Sequence, residues 1–367
     1  MIKVDSQQLY AALSSISKVS LSANNSPVYK CVMIIVTEKM LVCRGTDLIT
    51  FVERRVELAN SDSEKGSFLV VLEPLLNYLR ESDGVVSLTF NKADVVVRSS
   101  VDQASLKLRS VEDFATWPKW SSLTELDCDA VRLSDAIKSS LSFVATSLIS
   151  PIFYNISIRS NSDNKLVVQS SDGFSFIITT VGDVKKGAFL SCLIPFNAAL
   201  KIQDVQSPTS VGLSDNILGF RLTDGAYYFR LSSGAETYPE LSKSIPSKFS
   251  LVLKIDKKAI MGSLSRAVGF SDAQYRKTKL VCDTSGIKIT ATSEDFGTYS
   301  GSIKSVKGKG NPIELFVDTK YLSEFLKFVD KQLIIAFTTD KGAIVLNDPD
   351  NKELVYVMFP LVSSENK

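Results

Sequence analysis

Not one of the 367 residues is histidine. That absence removes the Ser-His-Asp and Cys-His nucleophiles, the HExxH metal site and the commonest general base. Cysteine is sparse: Cys31, Cys43, Cys128, Cys192 and Cys282 stand apart without CxxC spacing, most of them in strand-like apolar runs, and read as reduced core thiols. The phosphate-cradling patterns GxGxxG and GxxxxGK[ST] are missing, and the run Glu112–Phe114 reads as a turn and not as paired catalytic carboxylates. No apolar stretch approaches the roughly eighteen residues of a membrane span. The opening "MIKVDSQQLYAAL" has no basic segment leading into an apolar core, so the expectation is a soluble, cytoplasmic chain with no membrane partner. Neither charge sign dominates, with 42 basic against 40 acidic residues. These absences argue against an enzyme and call for no cofactor and no metal.

What the chain does have is repetition. An apolar helical pattern starts at Leu9, Leu133 and Ile260, at offsets of 124 and 127. A strand and acidic turn follow in "LVCRGTDLITF" with Asp47, "LVVQSSDGFSF" with Asp172, and "IKITATSEDFGTY" with Glu294 and Asp295. A second strand and helix place Leu72, Ile194 and Val317 at spacings of 122 and 123, and a strand pair begins at Val86, Val211 and Leu333, 125 and 122 apart. Such a period is too long for a solenoid unit, so each copy should be a folded domain. A hydrophobic content of 44% suits three ordinary cores.

Leu9, Ala12, Leu13 and Ile16 form one helical stripe, and Leu322, Phe325, Leu326 and Val329 another behind a capping Asp318. Val86, Leu88 and Phe90 alternate with Ser87 and Thr89, as do Leu333, Ile335 and Phe337 with Ile334 and Ala336, predicting sheets with one strongly buried face. The fold class is α+β: three similar domains, each with two helices packed on antiparallel sheets. Stretches rich in proline, serine and lysine at Thr116–Leu126 and Tyr238–Ser250 read as linkers, dividing the chain into residues 1–122, 123–246 and 247–367.

Six local signatures in order carry a family resemblance. They are "GTDL" at Gly45–Leu48, "EDF" followed by "WPKW" at the first linker, "SSDGFSF" at Ser170–Phe176, "TYPEL" at Thr237–Leu241, "FSDAQYRKTKL" at Phe270–Leu280, and "YVMFPL" at Tyr356–Leu361. The third resembles the family's "ATDGHRL" and the fifth its "LSNEKFRGVRL". On these the chain resembles, end to end, the bacterial-type DNA sliding clamps, the β subunits of replicative DNA polymerase III.

The resemblance implies a homodimeric, head-to-tail ring whose six domains turn helices toward a hole that holds double-stranded DNA. It implies as partners the replicative DNA polymerase, the clamp loader and other proteins carrying a clamp-binding motif. Sliding needs phosphate attraction without base readout, hence dispersed cations; the candidates are Lys18, Arg80, Lys138, Lys201, Arg266 and Lys327. A solvated helix face is the plainer reading of any one of them. Motif matching carries the family's peptide pocket onto Tyr154, Ser171, Gly173, Phe174, Ser175, Phe176, Pro239, Lys243, Ser244, Val357, Phe359, Pro360 and Leu361; a domain-interface core is the plainer alternative.

The match has departures. Phe174 and Ser175 stand where the family has histidine and arginine, making the pocket more aromatic and poorer in cations. The tail "SSENK", Ser363–Lys367, extends past the family's usual end toward the pocket. Leu106 and Phe270 match the ring-closing contact, with Ala104 replacing a large aromatic. Family members are distinctly acidic, whereas this chain carries a net +2. A clamp-like scaffold that binds partner peptides without encircling DNA is therefore the second reading, and an enzyme on a repeated framework the third. The ring reading is tested by the mass of the assembly in solution: twice 40.2 kDa is expected, and a stable monomer would undermine closure.

Overall fold

The structure is a computed structural model that describes residues 1–22, 26–59, 65–146, 150–184, 190–233, 237–271 and 276–361. Its helices follow the predicted stripes. Helix α1, Ser6–Ser20, starts where the Asp5 carboxylate accepts from Gln8 N at 2.9 Å, and it buries Leu9, Leu13, Ile16 and Val19. Helix α2, Leu72–Arg80, buries Leu72, Leu75, Leu76 and Leu79, and tolerates Pro74 in its first turn. Helix α3 spans Ala130–Ser140, and α5, Lys257–Val268, is capped by Asp256. Helix α6, Thr319–Leu326, is capped by Asp318 as its sequence predicts.

The middle repeat departs from the pattern. Its second helix, α4, covers only Phe196–Leu200 before tightening into a 3₁₀ turn at Lys201–Asp204. Pro195 at its start offers no side-chain cap, and Val205 N closes the end on Ile202 O at 2.9 Å.

The chain divides into two compact units, residues 1–138 with 194–233, and residues 139–193 with 234–367. The second repeat thus contributes chain to both. In the first unit one antiparallel sheet runs, neighbour to neighbour, through Ile2–Asp5, Val85–Phe90, Asp94–Arg98, Gln103–Arg109, Gly66–Val71, Cys31–Val36, Met40–Thr46, Thr50–Glu57, Gly225–Arg230, Ile217–Leu222, Ser210–Leu213 and Thr124–Leu126. Its seam between repeats pairs Thr50 with Phe229 through to Arg54 with Gly225. A Cβ on Gly225 would lie 2.0 Å from Glu53 O, so only glycine lets the strands approach.

The second unit repeats the scheme. Its sheet runs through Ser191–Pro195, Asn155–Ser160, Lys165–Ser171, Ser175–Asp183, Asn351–Met358, Ile344–Asp348, Gln332–Phe337, Leu251–Asp256, Gly297–Gly310, Gly286–Ser293, Lys277–Asp283 and Ile313–Asp318. The seam pairs Ser175 with Met358 through to Thr179 with Leu354. Helices α5 and α6 cover one face, their Leu264, Phe325 and Leu326 sharing a core with Ile287, Ile289 and Phe337 of the sheet.

Both linkers pack as more than connectors. Tyr238 and Leu241 lie on the other face of the second sheet against Ala336, Val345 and Val357, which is why that strand is apolar on both sides. In the first unit Trp117 meets Phe51 edge-on with centroids 5.4 Å apart, and Arg44 and Arg221 lie over Trp117 and Trp120 at 5.0 and 4.2 Å.

All five cysteines are free thiols. Burial pushes Cys43, Cys192 and Cys282 up to about 12 and Cys128 to about 11, while Cys31 rises through burial against a smaller opposing pull from Arg109. The folded chain thus favours neutral thiols, and this stabilisation is complete below the ordinary value of 9.0 and lost as pH rises through the folded values. The thermal midpoint is expected to hold between about pH 7 and 8.5 and to fall progressively from about pH 9 to 12; a midpoint indifferent to that rise would contradict the burial of these groups.

Candidate functional site

The "SSDGFSF" segment forms a tight turn whose hydrogen bonds explain its residues. Asp172 Oδ1 accepts from Phe174 N at 2.9 Å and Ser175 N at 2.8 Å. Ser171 Oγ accepts from Gly173 N at 3.0 Å and donates to Ser175 O at 2.8 Å. Gly173 takes a φ of +91°, which suits glycine and reverses the chain. With both sides of the turn fixed, Phe174 is held outward at 66% exposure.

Phe359 N donates to Phe174 O at 3.2 Å, placing a second exposed aromatic, at 43%, beside the first. Leu361 N donates to Phe316 O at 2.7 Å and fixes the end of this wall, with Pro360 half-buried between. Ser171, Ser175, Phe176 and Val357 are buried, so they are framework beneath the aromatics and not contact surface. Pro239 is exposed, and its carbonyl accepts from Gln169 Nε2 at 3.0 Å. Lys243 and Ser244 are exposed on the 3₁₀ turn Leu241–Ser244, where Lys243 pairs with Glu240 at 2.9 Å. Tyr154 ends the 3₁₀ turn Pro151–Tyr154; that turn is tied to the linker by Phe153, whose ring meets Tyr238 edge-on at 5.7 Å. The tail Ser363–Lys367 lies outside the described residues.

Beside Phe174 opens a cavity of about 410 Å³ whose walls include Leu141, Val144, Asp172, Lys320, Tyr321 and Glu324. Asp172 lies within the matched motif Ser170–Phe176, and motif matching missed the other five. Burial and the neighbouring Asp172 carboxylate push the Tyr321 phenol up, keeping it a neutral hydrogen-bonding group. The available signal was α6 itself: Lys320 and Glu324 fall off its Leu322–Phe325–Leu326 stripe, while Tyr321 packs its ring against the edge of the core.

The six predicted cations are all tethered locally. Lys18 Nζ donates to Asp204 Oδ1 at 2.5 Å, and Lys201 Nζ donates to Lys18 O at 2.6 Å. Lys138 Nζ reaches Val205 O at 2.9 Å and Asp135 at 3.2 Å. These three therefore converge on the end of α1 and the Lys201–Asp204 turn, with Lys201 answering the carbonyls that a helix C-terminus leaves open. Lys201 sits on the 3₁₀ turn and not in α4, and Lys327 is the residue just past α6, paired with Glu324 at 2.6 Å. Arg80 and Arg266 donate to phenols, Tyr10 at 3.4 Å and Tyr299 at 3.3 Å.

Leu106 and Phe270 occupy different environments. Leu106 lies half-buried on Gln103–Arg109, which pairs fully with Asp94–Arg98 but meets Gly66–Val71 only at Leu108 and Arg109. Among the described residues, one edge of 103–107 is therefore open. Phe270 follows α5 and stacks on Tyr299 with centroids 6.0 Å apart. Tyr299 lies on Gly297–Gly310, whose residues 297–304 pair on one side only.

Two sheets with seams between successive repeats, helices on one face and linkers on the other make up the DNA-clamp fold, and solved structures agree. The DNA polymerase III subunit beta of Pseudomonas aeruginosa superposes with a TM-score of 0.91 at 17% identity over 99% of this chain and 100% of that one. The Streptococcus pyogenes β subunit gives 0.91 at 17% over 99% and 100%. By sequence, the "Beta sliding clamp" of Pseudomonas putida is 20% identical across 91% of this chain and 92% of its own length, and that of Synechococcus elongatus 20% across 96% and 97%. The family descriptions "DNA polymerase III beta subunit, N-terminal domain" and "C-terminal domain" match residues 1–118 and 242–362. The chain belongs to the DNA polymerase III β-subunit family of sliding clamps.

The cation geometry yields a test that separates a lysine held by a backbone carbonyl from one in an exposed ion pair. Lys138, with a side chain 28% exposed and bound to a backbone carbonyl, should cost about 0.5–1.5 kcal/mol on change to alanine. Lys18→Ala, at 56% exposure, should stay within about 0.5 kcal/mol. Urea midpoints in the reverse order would overturn this assignment.

Proposed function

We propose that the chain acts as a non-enzymatic sliding clamp: two copies close into a ring around double-stranded DNA and tether the replicative polymerase, the clamp loader and other motif-bearing proteins in the cytoplasm. The full-length match to the clamp fold carries this reading. We divide each copy into clamp domains at residues 1–122, 123–246 and 247–367, following the sequence repeat. Closure is assigned to the open edges at 103–107 and 297–304, which offer unpaired backbone groups to one another in a head-to-tail dimer, with Leu106 and Phe270 supplying apolar contact.

Partner capture is assigned to the exposed pair Phe174 and Phe359, with Tyr154, Gly173, Pro239, Lys243, Ser244, Pro360 and Leu361 around it and the Tyr321 cavity beside it. Aromatic anchors next to a cavity suit an extended peptide that buries apolar side chains. Ser175 supplies no cation where the family has arginine, so the captured peptide relies on apolar anchors. DNA contact falls to Arg80, Lys201 and Arg266, with Lys18, Lys138 and Lys327 partly neutralised by their carboxylates.

Two outcomes follow. Changing Phe174 and Phe359 together to alanine should weaken a clamp-motif peptide at least tenfold, since each aromatic anchor is worth about 1–2 kcal/mol; unchanged affinity in a titration would sink the pocket assignment. Clamp loaded on circular DNA should persist through salt that strips it from linear DNA, because a closed ring is held topologically; equal loss from both would count against encirclement.

A further inference from the structure

One surface remains unabsorbed by clamp function: on the face of the second unit's sheet turned away from α5 and α6, the part beyond the Tyr238–Leu241 packing, formed by Leu251–Asp256, Lys277–Asp283, Gly286–Ser293, Gly297–Gly310 and Ile313–Asp318. Leu280, Ile287, Ile289 and Ile303 point to the helices. Strand alternation then turns Lys277, Lys279, Lys288 and Lys304 to the opposite face, and Lys254, Lys307 and Lys309 join them there because Leu253 and Ile255 are buried inward.

The register arranges these lysines as a diagonal stripe. Lys279 lies opposite Thr290, Lys288 opposite Val281 and Ser302, Lys304 opposite Gly286, and Lys307 opposite Lys254. From Lys279 to Lys288 to Lys304, each step crosses one strand and advances two residues, about 8 Å in strand geometry. Lys254 and Lys307 are like charges set directly across an antiparallel pair, an arrangement that costs stability unless an anion sits between them.

Acidic residues on the face are few and committed. Glu314 pairs with Lys279 at 2.5 Å, Asp283 Oδ1 accepts from Ser285 N and Gly286 N, and Asp256 and Asp318 cap α5 and α6. Among the described residues no carboxylate pairs with Lys254, Lys288, Lys304, Lys307 or Lys309. Taking these seven lysines and four acids from the 42 and 40 of the whole chain leaves 35 basic against 36 acidic residues. The chain's positive excess therefore resides on this face.

We propose that the stripe is a docking surface for an extended acidic segment of a partner protein. Charge complementarity sets the sign, and the side chains set the class. The stripe offers lysine point charges without the arginine forks that favour phosphate, and Phe316, which alternation turns to this face, is covered by Lys277 Nζ at 4.4 Å and is not an open ring for base stacking. Val281 and Val306 are instead exposed among the lysines, at 36% and 58%, Val306 being the extra residue of the bulge beside Lys254. Alternating charge and apolar surface fits a strand-like segment of alternating acidic and apolar residues. The stripe shares no residue with the Phe174–Phe359 site, so the two stand or fall separately.

The test uses the full chain and four fluorescent probes: a twelve-residue peptide alternating glutamate and valine, one alternating glutamate and serine, a single-stranded oligonucleotide and a short DNA duplex. The glutamate–valine peptide should bind several-fold tighter than the glutamate–serine one, and lose at least tenfold when Lys288, Lys304 and Lys307 are all changed to glutamate. Its affinity should weaken with salt and be unaltered by Phe174→Ala with Phe359→Ala. The triple variant should keep or raise the thermal midpoint, since Lys307→Glu replaces a like-charge pair, so loss of binding is not loss of fold. Peptide binding that survives the triple change overturns the proposal, as does a preference for either nucleic acid that the same change removes.

Discussion

The strand pairing across each repeat seam is the constraint on which the structure depends. Thr50–Glu57 meets Gly225–Arg230 in the first unit, and Ser175–Asp183 meets Asn351–Met358 in the second. A repeat left alone would end in an open edge whose backbone donors and acceptors have no partner. Pairing with the next repeat satisfies them and extends the sheet, and it obliges the chain of the second repeat to divide between two compact units. The scheme also explains where open edges remain, at 103–107 and 297–304, among the described residues.

The seam also creates the surface proposed for partner capture. The turn at Asp172–Phe174 and the wall at Phe359–Leu361 come from different repeats, and the seam register brings Ser175 opposite Met358 so that Phe359 N reaches Phe174 O. Repeats one and two form a similar junction, where Ile49 O accepts from Arg230 N at 2.8 Å. There the turn residue is Ile49 and the facing residue Arg230, so the junction lacks the aromatic pair. One backbone scheme thus carries two different surfaces, and the side chains alone distinguish them.

Much of the fold was legible because helical stripes and strand alternation are local: Leu9–Ile16 and Leu322–Leu326 announce helices, and Asp5, Asp256 and Asp318 start them. The shortening of α4 was less legible, since its apolar pattern fits a longer helix while Pro195 withholds a cap. The pocket motifs pointed to one turn and one wall but could not say that Phe176 and Val357 lie beneath the surface while Phe174 and Phe359 lie upon it. Tyr321 and Lys320 escaped because α6 is far from the turn in sequence and its polar face carries no motif.

The sequence by itself determined the threefold repeat, the apolar stripes of the helices, the exclusion of histidine chemistry and the family, because composition, period and short motifs are properties of contiguous residues. Only the tertiary structure decided which strands of successive repeats share a sheet and how exposed each predicted residue is. It alone showed that Lys18, Lys138 and Lys201 converge on one turn and that seven lysines line one face. Those outcomes depend on register between segments distant in the chain, where a slip of a single residue turns every side chain to the opposite face.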